Sequence, residues 1–348
     1  MRWGASKSSL KLSAKFQQHN FCNRTTKTLK ILYGTYPWAF DVPGGGEQQL
    51  TAYRNHLPAA GMTASLYDQW NPCIADYDVF HFFSVMPGSI QLVDHVKKQG
   101  LPVVISPNLW VTSHTRDNYP HQDIASLLPI ADAIVVNSDM EAEALSEVYS
   151  LPKSRFKTVY NGVERDFLEP ADPDLFASHF KIHSKFILNV ANVEPRKNQL
   201  AFLKALKSFP ELMLVTIGHI RDQNYARQCN EAAGSQFRFL GPLPYNSLLL
   251  RSGIAGCRFF AMPSTLETPS IAALEAFVSG APLLITREGS TTEYFGESVV
   301  YIDPNSMPSM RAGIETLIGR PKQAVESTTF LWANVIDKLA HVYRDLKI

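Results

Sequence analysis

Residues 259–286, FFAMPSTLETPSIAALEAFVSGAPLLIT, decide how this chain folds. The run 259–262 reads as a strand, the polar stretch after it as a loop, and IAALEAFV as a helix stopped by Gly280 and Pro282. A second strand, LLIT, follows. Strand, loop, helix and strand in that order form the repeating unit of a parallel sheet. At the junction Thr268 can cap the helix and Pro269 suits its first position, where a missing N–H costs nothing. Small Ser270, Ala272 and Ala273 allow close approach. The unpaired N–H groups and positive dipole end of such a helix suit a phosphate. Glu267 and Glu275 stand eight residues apart across the junction. On spacing alone they read equally well as a ligand clamp or as a loop acid and a salt-bridged helix acid.

Working outward, the same alternation fills the chain. Apolar runs at 28–36, 63–67, 78–83, 102–106, 133–137 and 158–160 read as strands, with helices at 89–99, 123–128 and 139–149 between them. The link EPADPD at 169–174 separates these from a second set, with strands at 186–191, 212–218, 237–240, 258–262, 282–286 and 298–302 and a helix at 199–208. Two α/β halves of similar size result, each a parallel sheet wrapped by helices.

The chain has 348 residues, 45% hydrophobic and 19% charged, enough to bury two cores. A formal net charge of +1 gives no pull toward nucleic acid. Cys22, Cys73, Cys229 and Cys257 lack CxxC or CxxH spacing, which speaks against zinc and for reduced thiols in the cytoplasm. No stretch approaches the roughly 20 apolar residues of a membrane span, and the N-terminus lacks the apolar core of a signal peptide. Residues 1–30 carry seven basic residues and no acid, interleaved with Trp3, Leu10, Leu12, Phe16 and Phe21. That composition suits contact with an anionic membrane, a transit-like presequence or a plain tail.

In open parallel sheets ligands gather at the carboxyl ends of the strands. The first strand leads into Gly44-Gly45-Gly46-Glu47-Gln48-Gln49, glycines that let a backbone approach an anion, although the spacing is not GxGxxG and a surface loop would read the same. His81, Asn108, His114 and Asn137 stand at other strand ends; His81 also reads as a core histidine and His114 as an exposed loop residue. Ser138 is placed to cap the helix after it, with Glu141 completing a capping box. The second half opens with Glu194-Pro195-Arg196-Lys197-Asn198 after its first strand. Two adjacent cations there suit a diphosphate, Arg by bidentate bonding and Lys as a point charge, or form a solvated pair. Eight mostly helical residues cover about 12 Å, the span of a nucleoside diphosphate sugar, so one of Glu267 and Glu275 can reach the sugar and the other the ribose.

These motifs together resemble the retaining glycosyltransferases of family 4. The matches are GGGEQQ (44–49), ADAIVVNS (131–138), VYNGVE (159–164), NVANVEPRKNQ (189–199), FLGPLPYNSLL (239–249) and ETPSIAALEAFVSGAPLL (267–284), the last containing the family's E-x7-E pattern. The resemblance implies the GT-B fold of two facing Rossmann-like domains, with a C-terminal helix, 330–348, crossing back onto the N-terminal domain. The implied division is a basic extension at 1–27, an acceptor domain at 28–175 and a nucleotide-sugar domain at 176–329.

By matching position, Lys197 with Arg196 is expected to bind the donor diphosphate, Glu267 the sugar hydroxyls and Glu275 the ribose. The main chain around Thr268, Pro269, Ser270 and Ile271 completes the phosphate site, with Gly45, Gly46 and Gly218 also on the donor side. His114, Asn108 and His81 are the acceptor-side candidates. The chain departs from the family where Ala191-Asn192 replaces a usual Gly-Arg pair, so one cationic contact is missing or supplied elsewhere. It departs again where Ser106-Pro107-Asn108-Leu109-Trp110 replaces a His-containing segment. The implied activity is transfer from a nucleoside diphosphate sugar, UDP- or GDP-linked, to a sugar, lipid-linked or other hydroxyl acceptor, with no metal and no further cofactor. A same-fold epimerase or hydrolase, or a non-catalytic sugar-nucleotide-binding protein, are the other readings. The expected location is the cytoplasm, or the inner face of a membrane through residues 1–30.

Overall fold

The computed structural model describes residues 28–323 and 328–346; the basic extension at 1–27 lies outside the described residues. The first sheet contains β1 (Lys30–Thr35), β2 (Thr63–Leu66), β3 (Val79–Phe83), β4 (Val103–Ser106), β5 (Ala133–Val136) and β6 (Phe156–Thr158), ordered β2-β1-β3-β4-β5-β6. The second contains β7 (Lys185–Val190), β8 (Leu212–Ile217), β9 (Phe237–Phe239), β10 (Phe260–Met262), β11 (Leu283–Thr286) and β12 (Val300–Ile302), ordered β12-β11-β10-β7-β8-β9. All their pairings are parallel. Helices cover both faces, so strands such as VFHFF, VVIS, AIVV and LLIT are buried at every position.

Each sheet reverses its strand order beside its first strand. The chain runs from β1 to β2 on one side and then to β3 on the other; it runs from β7 out to β8 and β9 and returns to β10. Loops leaving two such neighbours part from one another and open a crevice at the carboxyl edge. β6 lies two residues earlier than the expected 158–160, because Phe156 to Thr158 pair with Ile134 to Val136. Tyr160 has already left the sheet, its hydroxyl donating to Glu293 at 2.8 Å.

The expected return of the C-terminal helix is present. Val163 N donates to Phe330 O at 2.7 Å and Trp332 N to Val163 O at 3.1 Å, so the outgoing and returning chains run side by side. The helix Trp332–Arg344 then buries Trp332, Val335, Ile336, Leu339 and Tyr343 among Ile31, Tyr33, Leu50 and Tyr53 of the first half. At Gly162 a side chain would strike the Trp332 ring, 2.5 Å from its Cε3. The helix Pro173–Phe180 packs through Phe176 into the core of the second sheet. The expected division between 175 and 176 falls inside this helix.

A second fastening joins the halves. Ser138 Oγ caps the helix Asp139–Tyr149 by accepting from Glu141 N at 2.9 Å, as expected. Glu141 does not complete the box. Its carboxylate accepts instead from Asn137 N at 2.7 Å and Leu109 N at 3.1 Å. The free donors of this helix start, Asp139 N and Met140 N, go to Glu293 of the second half at 2.8 and 2.9 Å, where a carboxylate also complements the helix dipole.

Tyr343 carries the polar side of the docking: its hydroxyl lies 2.6 Å from His81 Nδ1 and 3.2 Å from the Tyr33 hydroxyl, all buried. Tyr343→Phe strands His81 and should lower the unfolding free energy by about 1–3 kcal/mol in urea titration, with an unchanged far-ultraviolet spectrum. An unchanged midpoint would show that packing alone docks the helix.

Candidate functional site

The two crevices face each other across a cleft of about 830 Å³ lined from both halves. On the second half, β7 runs into the short turn Pro195–Lys197, which ends at Asn198 with φ +59, a conformation asparagine tolerates. Asn198 Nδ2 holds the turn to Pro263 O at 3.2 Å and Pro304 O at 2.9 Å. Thr265 N, on the loop after the neighbouring β10, donates to Arg196 O at 2.9 Å. The two loops that part at the strand reversal are thus tied together, and Lys197 Nζ meets Glu267 Oε1 at 2.6 Å between them.

The Lys197 and Glu267 side chains are 12% and 5% exposed. Burial pushes the Lys197 ammonium below its ordinary value, against the pull of Glu267. Burial pushes the Glu267 carboxyl up, but Lys197 and then Arg196 overcome it and hold the carboxyl below its ordinary value. Arg196 leans outward, 48% exposed, toward Leu266 O at 3.3 Å and Glu194 at 3.3 Å. Glu267 is fixed by its backbone: its N donates to Glu288 O and its O accepts from Ser290 N, both at 3.1 Å. That arrangement requires Gly289, with φ +101, since a side-chain carbon there would lie 1.9 Å from Glu267 O.

The helix beside them begins later than the sequence suggested. It spans Ile271–Val278, with Ser270 as its cap accepting from Ala273 N at 3.2 Å. Thr268 does not cap and Pro269 precedes the cap, because the loop pinned at Thr265 and Glu267 reaches the helix axis only at Ser270, and a residue before proline avoids the helical region. Thr268, Pro269, Ser270 and Ile271 all line the cleft. So does Glu275, which is 3% exposed and whose Oε1 is buried with no hydrogen-bond partner. Burial pushes its carboxyl up to about 8; the Tyr245 hydroxyl works the other way and nearby Glu164 adds to the rise.

The first half supplies the facing wall. The helix Gly45–His56 starts within the glycine run, and Glu47 anchors the turn by accepting from Gly44 N at 2.7 Å and the Tyr36 hydroxyl at 2.9 Å. Gly45 and Gly46 line the cleft, as does Gly218 at the end of β8. Beside them runs a chain of amides: Gln49 Nε2 donates to Asn137 Oδ1 at 2.6 Å and Asn137 Nδ2 to Asn108 Oδ1 at 2.8 Å. Glu141 holds the backbones of both loops from behind, and burial pushes its carboxyl up to about 7.

Two acceptor-side candidates lie elsewhere. His81 is fully buried inside the first sheet, between Tyr343 and Ser106 Oγ and stacked on Phe83, and burial pushes its imidazole down to about 3. It is a core histidine; as a middle residue of β3 it points away from the carboxyl edge. His114 is exposed and does not line the cleft, because its loop turns outward between Trp110 and Tyr119, which do. Asn108 remains at the wall, with φ +48. Sequence reasoning missed Glu194 and Arg221 as an ion pair at 3.6 Å in the cleft, and missed Glu293 as the cap between halves. The HIRD loop after a strand offered the hint for Arg221. Among the described residues no group of three or more His, Cys, Asp and Glu is gathered as a metal site, and no helix is long and apolar enough to cross a membrane.

Comparison with known proteins also divides the chain in two. Residues 30–167 match the model described as Glycosyltransferase Family 4, and residues 172–327 the model described as Glycosyl transferases group 1. The D-inositol 3-phosphate glycosyltransferase 1 of Catenulispora acidiphila is 24% identical over 305 residues, covering 77% of this chain and 72% of that protein. The serotype-specific mannosyltransferase WbdA of Escherichia coli is 26% identical over 229 residues, covering 59% of this chain but 28% of its own length. Among solved structures, the sucrose-phosphate synthase of Thermosynechococcus elongatus superposes with a TM-score of 0.68 at 15% identity, covering 91% of this chain and 94% of that one. Anabaena HepE in complex with UDP-glucose superposes with a TM-score of 0.67 at 16% identity, covering 90% and 94%. Both share the GT-B arrangement of two facing parallel sheets.

The raised carboxyl of Glu275 has a stability signature. In the unfolded chain it titrates near 4.5 and in the folded protein at about 8, so between these values the folded state holds a proton that the unfolded state lacks, and stability falls as pH rises through that window. Glu275→Gln removes the titration. Its stability relative to the wild type should improve by about 4–5 kcal/mol on going from pH 4 to pH 8, read as a difference in Tm by calorimetry. A difference that does not change with pH would contradict the buried, protonated state.

Proposed function

This chain belongs to glycosyltransferase family 4, and we propose that it moves a glycosyl group from a nucleoside diphosphate sugar to an acceptor hydroxyl with retention at the anomeric carbon. The observation that carries the reading is the meeting of Lys197, Glu267 and the Ser270-capped helix start on one side of the cleft, opposite a glycine turn on the other. In the reaction the bond from the anomeric carbon to the diphosphate oxygen breaks, a bond to the acceptor oxygen forms, and the acceptor hydroxyl gives up its proton to the departing diphosphate. Negative charge collects on the leaving diphosphate. Arg196, Lys197 and the helix N–H groups are preorganised to receive it, which supports a metal-independent reaction.

Glu267 is assigned to the sugar hydroxyls, beside Lys197 and the diphosphate. Glu275 is assigned to the ribose: its buried and unpartnered Oε1 is an acceptor waiting for a hydroxyl donor. Thr268 to Ile271, Gly218, Gly45 and Gly46 line the donor path, and Asn108, with Asn137 behind it, takes the acceptor side in place of the two histidines. Closure of the halves on the donor would exclude water and limit hydrolysis.

The structural neighbour solved with UDP-glucose supports a UDP-linked donor, with a GDP-linked one as the second choice. The relatives' names, an inositol phosphate glycosyltransferase, a mannosyltransferase and an N-acetylgalactosaminyltransferase acting on a diphospho-undecaprenol, support a glycan, polysaccharide or glycolipid acceptor. A lipid-linked acceptor would agree with peripheral contact of residues 1–30 with an anionic membrane from the cytoplasmic side.

Lys197→Ala should lower turnover by roughly ten- to a thousandfold with the fold intact, measured as nucleoside diphosphate released in the presence of acceptor. Undiminished transfer would remove Lys197 from the site, and equal release without acceptor would make the protein a hydrolase. The full chain should co-sediment with vesicles containing anionic lipid more than a chain starting at Thr28; equal binding would rule out the membrane role of the basic segment.

A further inference from the structure

A further cation faces the cleft beside the two assigned to the diphosphate. Lys197 is engaged with Glu267, and Arg196 leans out toward Leu266 O and Glu194. Arg221, on the loop that follows β8 and Gly218, lines the same cleft with its side chain 33% exposed. Its guanidinium touches both halves of the protein. One terminal nitrogen donates to Val42 O, just before the glycine turn, at 2.6 Å, and the other lies 3.6 Å from Glu194 Oε2. It also lies against Gly44, where a side-chain carbon would stand 3.2 Å from it. A second bond crosses at the same level, from Asn192 Nδ2 to Pro43 O at 3.4 Å.

Glu194 therefore sits between two guanidinium groups, Arg196 at 3.3 Å and Arg221 at 3.6 Å, its side chain 16% exposed. Two guanidinium groups converging on one anion beside a glycine turn form a place for phosphate oxygens. A guanidinium carries five donors in a planar fork, and its described contacts leave Arg221 donors to spare. A diphosphate gives each fork a doubly charged, bidentate partner that a shared carboxylate at these distances does not.

Taking the cleft as a nucleotide-sugar site, we propose that Arg221 is a ligand of the donor diphosphate, and that through its bond to Val42 it couples donor binding to the position of the glycine turn. A bound diphosphate would then be gripped by Lys197 and Arg196 from one loop and by Arg221 from another. The grip and the approach of the two halves become one event, because the side chain that holds the phosphate also holds the turn.

The test is calorimetric titration of the full-length protein with UDP, GDP and ADP and with the matching nucleoside monophosphates. Wild type, Arg221→Ala, Arg221→Lys and Lys197→Ala are compared, each with its melting curve. Arg221→Ala should stay folded, with a single cooperative melting transition, and bind the preferred diphosphate about ten- to a hundredfold more weakly, while binding of the monophosphate, which lacks the second phosphoryl group, falls far less. Arg221→Lys should recover part of the loss, a point charge replacing a fork. Full diphosphate affinity in Arg221→Ala alongside weakened binding in Lys197→Ala would overturn the role of Arg221 and leave the cleft assignment standing. Equal losses for diphosphate and monophosphate would also overturn it, by showing that Arg221 only shapes the turn. Absence of binding by the wild type to any of these nucleotides would bring down the cleft assignment itself.

Discussion

Lys197 and Glu267 meet at 2.6 Å where the second sheet reverses its strand order, and the second half's side of the cleft is built around that contact. The loops after β7 and β10 begin side by side and part, as the loops at any such reversal must. Here the ion pair, Thr265 on Arg196 O and Asn198 on Pro263 O draw them together again. Burying two charges is expensive, and a buried pair is weak evidence of stability. Its value in this protein is positional: it places one cation and one carboxylate at a fixed separation beside a helix start.

The facing wall depends on a different constraint, the return of the chain. The helix Trp332–Arg344 belongs by sequence to the end of the second half and by packing to the first. Its docking brings Val163 and Phe330 together at the crossing and leaves no space for a side chain at Gly162. Glu293, reaching from the second half to the start of the Asp139–Tyr149 helix, and Tyr294, whose hydroxyl donates to Asn137 O at 2.5 Å, fasten the halves close to the amide chain of Gln49, Asn137 and Asn108. The first half's wall of the cleft is therefore positioned by residues from the opposite half.

Much of this was legible beforehand, and what was not has a common cause. The strands were readable because fully buried parallel strands are short apolar runs, as in DVFHFF or PVVIS. Gly280 was readable as a stop, and it has φ +77. Thr268 is a good cap in isolation; the hydrogen bonds of Glu267 to Glu288 and Ser290, more than twenty residues on, put the helix start at Ser270 instead. Nearness to a strand end, the signal at His81 and His114, says nothing of which way a side chain points. Arg221 stands in a loop and Glu293 in the short helix Thr291–Phe295, neither within a motif, and their partners, Val42 and the backbone of Asp139, lie in the other half.

By itself the sequence determined the alternation of strand and helix, the two halves, the family and the identity of the charged pair Arg196-Lys197 with Glu267 and Glu275. These follow from local periodicity and from residue types held at short spacing, which are present in the chain before it folds. Only the tertiary structure decided which of the polar residues share a cleft, that Glu275 is a buried carboxyl with an unpartnered oxygen, and that a guanidinium from one half rests on the glycine turn of the other. The physical reason is that burial and cross-cleft contact arise from strand order and domain docking. Those bring together residues such as Val42 and Arg221, whose separation along the chain carries no pattern to read.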